Sequence, residues 1–226
     1  MDMDLAVFDL DGTLVASLEG IQYSMNKVLM ENDFPTHDLE SYRLFVGDGL
    51  KMVVVRSLPL EYRDPKYIET LYAQLLDVYS SGYAFGMHLY PEMAEALDGL
   101  VERKIRLAVN TNKNQNIAQR IVDTYLKDWP ILRVAGSLAD RPKKPDPAGL
   151  LAIMTELKAT AANTIYIGDT AVDINTARNA GVPCISVTYG FRTRQELMTA
   201  HPDILVDSPQ KILQVIDKGI SAFNDS

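Results

Sequence analysis

Five short runs of apolar and β-branched residues recur along this chain and restrict the folds open to it. The runs do not alternate with polar residues, which indicates strands buried on both faces. They are Leu5–Phe8, Ile105–Val109, Ile131–Val134, Thr164–Ile167 and Cys184–Val187. Helical patterns lie between these runs, with Met93, Leu97 and Leu100 on one helix face. Strands that alternate with helices predict an α/β fold, in which helices cover both sides of a parallel sheet.

The region from about residue 15 to residue 85 breaks this alternation. It carries helix-like patterns and no convincing buried strand. Its clearest amphipathic stripe consists of Leu71, Leu75, Leu76 and Tyr79. We therefore predict two domains: a core of residues 1–14 and 86–226, and a small helical domain of residues 15–85 inserted over the carboxyl edge of the sheet.

The charge balance argues against two classes of partner. The chain has 22 Lys and Arg against 30 Asp and Glu, a net charge of −8. Nucleic acids and anionic membranes both attract a basic surface, so neither is expected as the main partner. No apolar run approaches the roughly 18 residues of a membrane span, and the acidic N-terminus lacks the basic region of a signal peptide. A cytoplasmic protein is the expectation.

An acidic motif, Asp9-Leu10-Asp11-Gly12-Thr13, directly follows the first apolar run. Alone it could be a polar turn, since Asp and Gly are common in turns. Two carboxylates at the end of a buried strand repel each other, however, and require a cation or a shared proton. Mg²⁺ would meet that requirement and leave positions for phosphate oxygens and water. One carboxylate could then attack phosphorus while the other transfers a proton.

Polar groups also follow three further predicted strands or loops. Thr111-Asn112-Lys113 offers a hydroxyl and backbone N–H groups at a predicted helix start, which suits phosphate binding. Lys144 precedes a helix entry fixed by proline, and Asp169 follows the fourth strand, with Asp173 at i+4. Each element is a weak signal alone. Together, in this order, they predict one site at the carboxyl edge of the sheet.

The four motifs resemble those of the haloacid dehalogenase superfamily of phosphohydrolases, and within it the phosphoglycolate phosphatase-like branch. They are Asp9–Thr13, Thr111–Lys113, Lys144–Pro147 and Gly168–Asp173. The resemblance implies a Rossmann-like parallel-sheet core with the helical segment as a cap domain. It also implies a Mg²⁺-dependent phosphomonoester hydrolase that acts through an aspartyl phosphate on a small phosphorylated metabolite. The best candidate is 2-phosphoglycolate, and a monomer or a homodimer is expected.

The resemblance also implies a role for each charged residue of the core motifs. Asp9 is the nucleophile and a metal ligand. Asp11 is the general acid and then the base, and its main-chain carbonyl contacts the metal. Asp169 completes the metal ligands. Lys144 neutralises charge on the nucleophile and the phosphoryl group, and Asp173 holds Lys144 or metal-bound water.

The resemblance assigns contacts with the phosphate and with the leaving group to other residues. Thr111, the backbone of Asn112 and the turn at Gly12 are expected to contact the phosphate. The segment Tyr42–Leu50 resembles the substrate-facing loop of the cap, and Arg43 within it could meet a substrate carboxylate bidentately.

Several alternatives share part of this pattern. A sugar phosphomutase, a nucleotidase or a pyrophosphatase of the same superfamily would keep the four motifs and differ in the cap. Retention of Asp11 argues against a dehalogenase, because that chemistry has no phosphate leaving group to protonate. A phospho-accepting receiver or binding protein is a remote alternative. Its acceptor normally follows the third strand, and Ile131–Val134 is followed by Ala135-Gly136-Ser137.

Overall fold

The computed structural model describes residues 3–139 and 141–219. The two ends of the predicted core, residues 1–2 and 220–226, lie outside the described residues. The chain divides into two compact units. One unit comprises the chain up to Val15 and from Leu89 onward, and the other is Ala16–His88. A cap function for the second unit stays a prediction.

The first unit is built on a parallel sheet of six strands, as far as the described residues show. The strands of the chain are β1 (Leu5–Phe8), β2 (Val15–Ala16), β3 (His88–Leu89), β4 (Arg106–Asn114), β5 (Ile131–Ser137), β6 (Thr164–Gly168), β7 (Cys184–Val187) and β8 (Ile204–Val206). Their order in the sheet is β5-β4-β1-β6-β7-β8, and β2 and β3 form a separate two-stranded sheet. All of the sheet's described pairings are parallel. The predicted α/β fold with a parallel sheet is confirmed.

The central position of β1 determines where polar residues gather. Phe8, its last residue, pairs with Val109 of β4 on one side and with Ile167 of β6 on the other. The residues that follow these three positions therefore lie next to each other. After β5 the chain crosses back over β1 to form β6, so this edge is a topological switch point, where α/β sheets bind ligands.

Helices account for most of the remaining described chain. They are α1 (Leu18–Glu31), α2 (Leu39–Phe45), α3 (Leu50–Ser57), α4 (Pro65–Gly82), α5 (Met93–Glu102), α6 (Gln115–Tyr125), α7 (Ala148–Glu156), α8 (Ala171–Ala180), α9 (Arg194–Thr199) and α10 (Gln210–Lys218), with 3₁₀ turns at Leu60–Tyr62 and Ala161–Asn163. In the described segments, every helix is too short or too polar to span a bilayer.

The second unit is helical, with α1 packed against α4. The apolar stripe of α4 is buried at Leu71, Leu75 and Tyr79, whereas Leu76 is half-buried. Burial of one stripe against another helix is the main source of stability for an amphipathic helix. The helical character predicted for this segment therefore has its physical basis in the packing of α1 on α4.

The second core strand is longer than the sequence pattern predicts. The apolar run ends at Val109, but β4 continues to Asn114 because its pairing with β5 resumes at Asn114 after a register shift. Thr111–Lys113 therefore lies within a strand and not at a helix start, and that prediction was wrong. Helix α6 begins at Gln115, and the side chain of Asn114 caps it by accepting from the N–H of Asn116 at 3.0 Å.

Candidate active site

Three buried carboxylates meet at the carboxyl edge of the sheet. Asp9 follows β1, and its N–H donates to the carbonyl of Ile167 in β6 at 2.8 Å. Asp169 follows β6, and Asp173 lies in the first turn of α8. Ligand oxygens of Asp9, Asp169 and Asp173 all lie within 4.8 Å of one another. Such a concentration of buried carboxylates requires cations or bound protons.

The loop after β1 packs directly on one of these carboxylates. Gly12 has a φ of +89°, and a Cβ at this position would overlap the carboxylate of Asp169. Only glycine meets both conditions without strain. The same carboxylate accepts hydrogen bonds from the Thr13 hydroxyl at 3.3 Å and from the Phe191 N–H at 2.7 Å. These contacts fix the orientation of Asp169.

Lys144 supplies a buried positive charge to the cluster. Its Nζ lies 2.6 Å from Oδ1 of Asp173, 2.9 Å from Oδ1 of Asp9 and 3.2 Å from the Tyr166 hydroxyl. The backbone of Lys144 is held by the amide side chain of Asn112. Asn112 Oδ1 accepts from the Lys144 N–H at 2.8 Å, and its Nδ2 donates to the Lys144 carbonyl at 3.1 Å.

Asp173 connects the lysine to the beginning of α8. Its Oδ2 accepts hydrogen bonds from the Thr170 N–H at 3.1 Å and the Thr170 hydroxyl at 2.7 Å, which completes a capping box. Its Oδ1 faces Lys144. One oxygen of Asp173 is thus taken by the helix terminus and the other by the Lys144 ammonium.

A second ion pair lies in the same unit. Nζ of Lys113 donates to Oδ1 of Asp11 at 2.7 Å, and the two side chains are 3% and 17% exposed. Thr111 is also buried, and its Oγ1 accepts from the Lys113 N–H at 3.2 Å. The ends of β1 and β4 therefore bring Asp9, Asp11, Thr111 and Lys113 into one region.

Burial and charge shift the pKa values of these groups in opposing ways. Burial raises the pKa of Asp9 to about 7, although the ammonium of Lys144 opposes the rise. Burial, with Asp173 and Asp9 nearby, raises the pKa of Asp169 well above its usual range. Burial alone would lower the pKa of Lys144, but Asp173 and Asp9 outweigh it and raise that pKa above its usual range.

The residues present fit a hard divalent cation. Oδ1 of Asp9 is buried, and among the described residues no group hydrogen-bonds to it, although Lys144 lies close enough for an ion pair. Burial raises the pKa values of Asp9 and Asp169, so a cation that faces these carboxylates would favour their charged forms. Carboxylate oxygens are ligands that Mg²⁺ prefers. The cluster can hold a metal ion, and its identity belongs to the proposal below.

The raised pKa of Asp9 predicts how stability of the metal-free protein depends on pH. The folded value of about 7 lies above the usual 3.8, so folding binds a proton between these values. The free energy of unfolding therefore falls as pH rises from about 4 through about 7, and it stays lowered at higher pH. We expect Asp9→Asn to raise the free energy of unfolding at about pH 8, by an amount on the order of a few kcal/mol, since one pKa unit corresponds to about 1.36 kcal/mol.

Urea unfolding in EDTA at about pH 5 and about pH 8 measures this effect. Asp9→Asn should raise the free energy of unfolding clearly less at the lower pH. Asp77→Asn, at an exposed position of α4, is the matched control and should change neither value. An equal increase at both pH values would contradict the assignment of the lowered free energy of unfolding to ionised Asp9.

Every site residue predicted from the sequence lies within the described residues, but the roles of these residues stay predictions. The motif residues of the core lie together in the first unit, as described above. Arg43 lies on α2 in the second unit, and its Nη1 is 3.4 Å from Oε1 of Glu40. Its role toward a substrate carboxylate stays a prediction.

Three contributors to this site carried no assigned role in the sequence analysis. Lys113 belongs to the motif Thr111–Lys113, but the sequence did not predict that β4 continues through this motif to Asn114. Tyr166 lies within an apolar run, where a buried hydroxyl is not distinguishable from core packing. The Phe191 N–H comes from a loop and has no sequence signal.

Comparisons with known proteins agree with this geometry. The family model for haloacid dehalogenase-like hydrolases matches residues 6–187. A phosphoglycolate phosphatase of Rhodospirillum rubrum is 34% identical over 191 residues, 82% of this chain and 79% of that protein. The phosphoglycolate phosphatase of Vibrio parahaemolyticus is 28% identical over 220 residues, 95% of this chain and 96% of that protein.

Solved structures show the same architecture. A predicted phosphoglycolate phosphatase from Haemophilus somnus has a TM-score of 0.86 and 25% identity, covering 95% of this chain and 98% of its own. A predicted phosphatase from Clostridium acetobutylicum has a TM-score of 0.85 and 26% identity. The match covers 97% of this chain and 100% of that protein. The chain therefore belongs to the haloacid dehalogenase-like hydrolases, and within them it is a phosphatase of the phosphoglycolate phosphatase-like branch.

Proposed function

We propose that this phosphatase is a Mg²⁺-dependent phosphomonoester hydrolase that acts through an aspartyl phosphate at Asp9. The observation that carries the proposal is the buried cluster at the ends of β1 and β6, with Lys144 Nζ 2.9 Å from Oδ1 of Asp9. A carboxylate beside a buried cation, at a switch point of the sheet, is suited to receive a phosphoryl group.

In the first half-reaction, an oxygen of Asp9 forms a bond to phosphorus as the bond from phosphorus to the leaving oxygen breaks. Asp11, in its acid form, donates a proton to that oxygen, so the alcohol leaves neutral. Lys144 offsets negative charge on the transferring group. The Thr111 hydroxyl and the N–H of Asn112 bind phosphate oxygens.

In the second half-reaction, Asp11 is a carboxylate and takes a proton from water. The water oxygen attacks the phosphorus of the aspartyl phosphate, and the bond from phosphorus to Asp9 breaks. Inorganic phosphate leaves, Asp9 is restored, and Asp11 is again in its acid form. Asp11 therefore donates one proton and takes up one proton in each catalytic cycle.

Asp9, the main-chain carbonyl of Asp11 and Asp169 would hold the metal ion. Bound there, Mg²⁺ would neutralise charge on the phosphoryl oxygens and orient them. The Thr13 hydroxyl and the Phe191 N–H keep the Asp169 carboxylate in one orientation for this purpose.

The substrate is proposed to be a small phosphorylated metabolite, with 2-phosphoglycolate as the first candidate. Relatives named phosphoglycolate phosphatase support this choice, and they match most of the chain. A small acidic substrate is compatible with the net charge of −8 because a metal ion and buried lysines determine the local potential.

A phosphate-release screen tests the proposal. The panel contains 2-phosphoglycolate, sugar phosphates, nucleoside monophosphates, pyrophosphate and p-nitrophenyl phosphate, each with Mg²⁺ and after EDTA treatment. We expect release that is fastest with 2-phosphoglycolate, lost in EDTA and restored by Mg²⁺. Asp9→Asn purified in the same way excludes a contaminating phosphatase. Full turnover in EDTA would contradict the metal requirement, and another preferred ester would replace the proposed substrate.

A further inference from the structure

The ion pair between Lys113 and Asp11 is not used by the roles proposed above. Nζ of Lys113 lies 2.7 Å from Oδ1 of Asp11, with side chains 3% and 17% exposed. The two residues are distant in the sequence. They meet because β4 and β1 are adjacent parallel strands, and both residues follow the pair formed by Phe8, the last residue of β1, and Val109.

The pair joins a loop residue to a strand residue. Asp11 lies in the tight turn after β1, where the Gly12 N–H donates to the carbonyl of Val15 at 3.0 Å. Lys113 lies in β4, an interior strand of the sheet, in the stretch between Asn110 and Asn114 where the pairing with β5 shifts register. Sites on strands are held more accurately than sites on loops, so a contact from β4 fixes a carboxyl that the loop alone would hold less well.

Burial of an ammonium also needs an explanation. Desolvation of a lysine costs several kcal/mol, and its side chain loses rotamer freedom. Lys144 faces Asp9 at 2.9 Å, and Lys113 faces Asp11 at 2.7 Å. The two motif carboxylates therefore face different buried lysines, and Lys144 also contacts Asp173.

We propose that Lys113 is a positioning residue that holds the Asp11 carboxyl where the leaving oxygen receives its proton. This inference rests on the proposed function, in which Asp11 transfers that proton. It implies that Lys113 matters most for substrates whose leaving group requires protonation. An alkoxide requires it, whereas p-nitrophenolate leaves without a proton.

Lys113→Met tests the proposal through the dependence on the leaving group. We measure kcat/KM for the best alkyl phosphate of the panel and for p-nitrophenyl phosphate, since this parameter reports transfer to Asp9. The ratio of alkyl to aryl values should fall about 10- to 100-fold in Lys113→Met, and at least as far in Asp11→Asn. Because both substrates are assayed on one preparation, a fraction of unfolded protein does not alter the ratio.

A double variant separates positioning from an independent role. In an Asp11→Asn background, Lys113→Met should change the ratio less than about 3-fold, because residues that act as a unit are not additive. Lys143→Met removes an exposed lysine nearby in the chain and should leave the ratio unchanged. Lys113→Gln repeats the test with a polar side chain if the methionine variant does not fold.

The outcomes distinguish this inference from the function on which it rests. An equal loss for both substrates in Lys113→Met, with Asp11→Asn still lowering the ratio, overturns only the role of Lys113. Losses that multiply in the double variant overturn it as well. An unchanged ratio in Asp11→Asn, or no phosphate release by the unmodified protein, overturns the proposed roles and this inference together.

Discussion

Asp9→Asn is expected to lower kcat for phosphomonoesters on the order of 10⁴- to 10⁶-fold, the range found when a catalytic nucleophile is removed. The amide oxygen of asparagine is neutral and a poor nucleophile, so no phosphoryl group can be accepted. Asp173 still neutralises Lys144, whose Nζ lies 2.6 Å from its carboxylate, so the variant should fold. Steady-state phosphate release and thermal unfolding measure the two properties.

A direct assay for the intermediate accompanies this measurement. Labelled substrate is mixed with enzyme, quenched in acid, and the protein is tested for label that hydroxylamine releases, as expected of an acyl phosphate. The unmodified protein should carry such label and Asp9→Asn should not. Asp77→Asn, at an exposed site on α4, should retain both turnover and label. Labelled protein in the Asp9→Asn variant would show that another residue is the nucleophile.

Lys144→Met is expected to have the largest effect on stability. The ammonium is buried against Asp173 and Asp9, and its loss leaves those carboxylates uncompensated. Removal of one partner from a buried ion pair costs about 3–5 kcal/mol. At about 2–4 °C per kcal/mol for a domain of this size, Tm should fall by roughly 6–20 °C. Turnover should fall as well, because charge on the phosphoryl group is no longer offset.

Added Mg²⁺ should restore part of the lost stability, because a divalent cation supplies the charge that the carboxylates lack. Lys143→Met is the matched control, since Lys143 is exposed while its neighbour is buried. Calorimetry with and without Mg²⁺ compares both variants with the unmodified protein. A Tm for Lys144→Met within about 2 °C of the unmodified value would mean that the carboxylates are compensated by another group.

Much of the fold was predictable because the sheet is buried on both faces. Runs such as Leu5–Phe8 and Cys184–Val187 coincide with β1 and β7, since such strands must be continuously apolar. The short edge strand β8 was not predicted, because three residues do not form a recognisable pattern. The true end of β4 at Asn114 was also missed, because polar residues normally mark the end of an apolar strand.

The candidate site was predictable in its components and not in its contacts. Spacing and order identified the motif residues: Asp9 follows β1 and Asp169 follows β6, whereas Thr111 lies within β4. The bonds of the Asn112 side chain to the backbone of Lys144 and of Lys113 to Asp11 join distant parts of the chain. Such contacts depend on strand order and side-chain direction, which one sequence does not specify.

Asp173 limits how an inactive but folded version of this protein can be made. One carboxylate oxygen begins α8 by accepting from Thr170, and the other neutralises Lys144. A substitution there alters a helix terminus and the charge of the phosphate site at once, so lost turnover could not be attributed to either. Ligand-trapping experiments should therefore use Asp9, whose side chain caps no helix among the described residues.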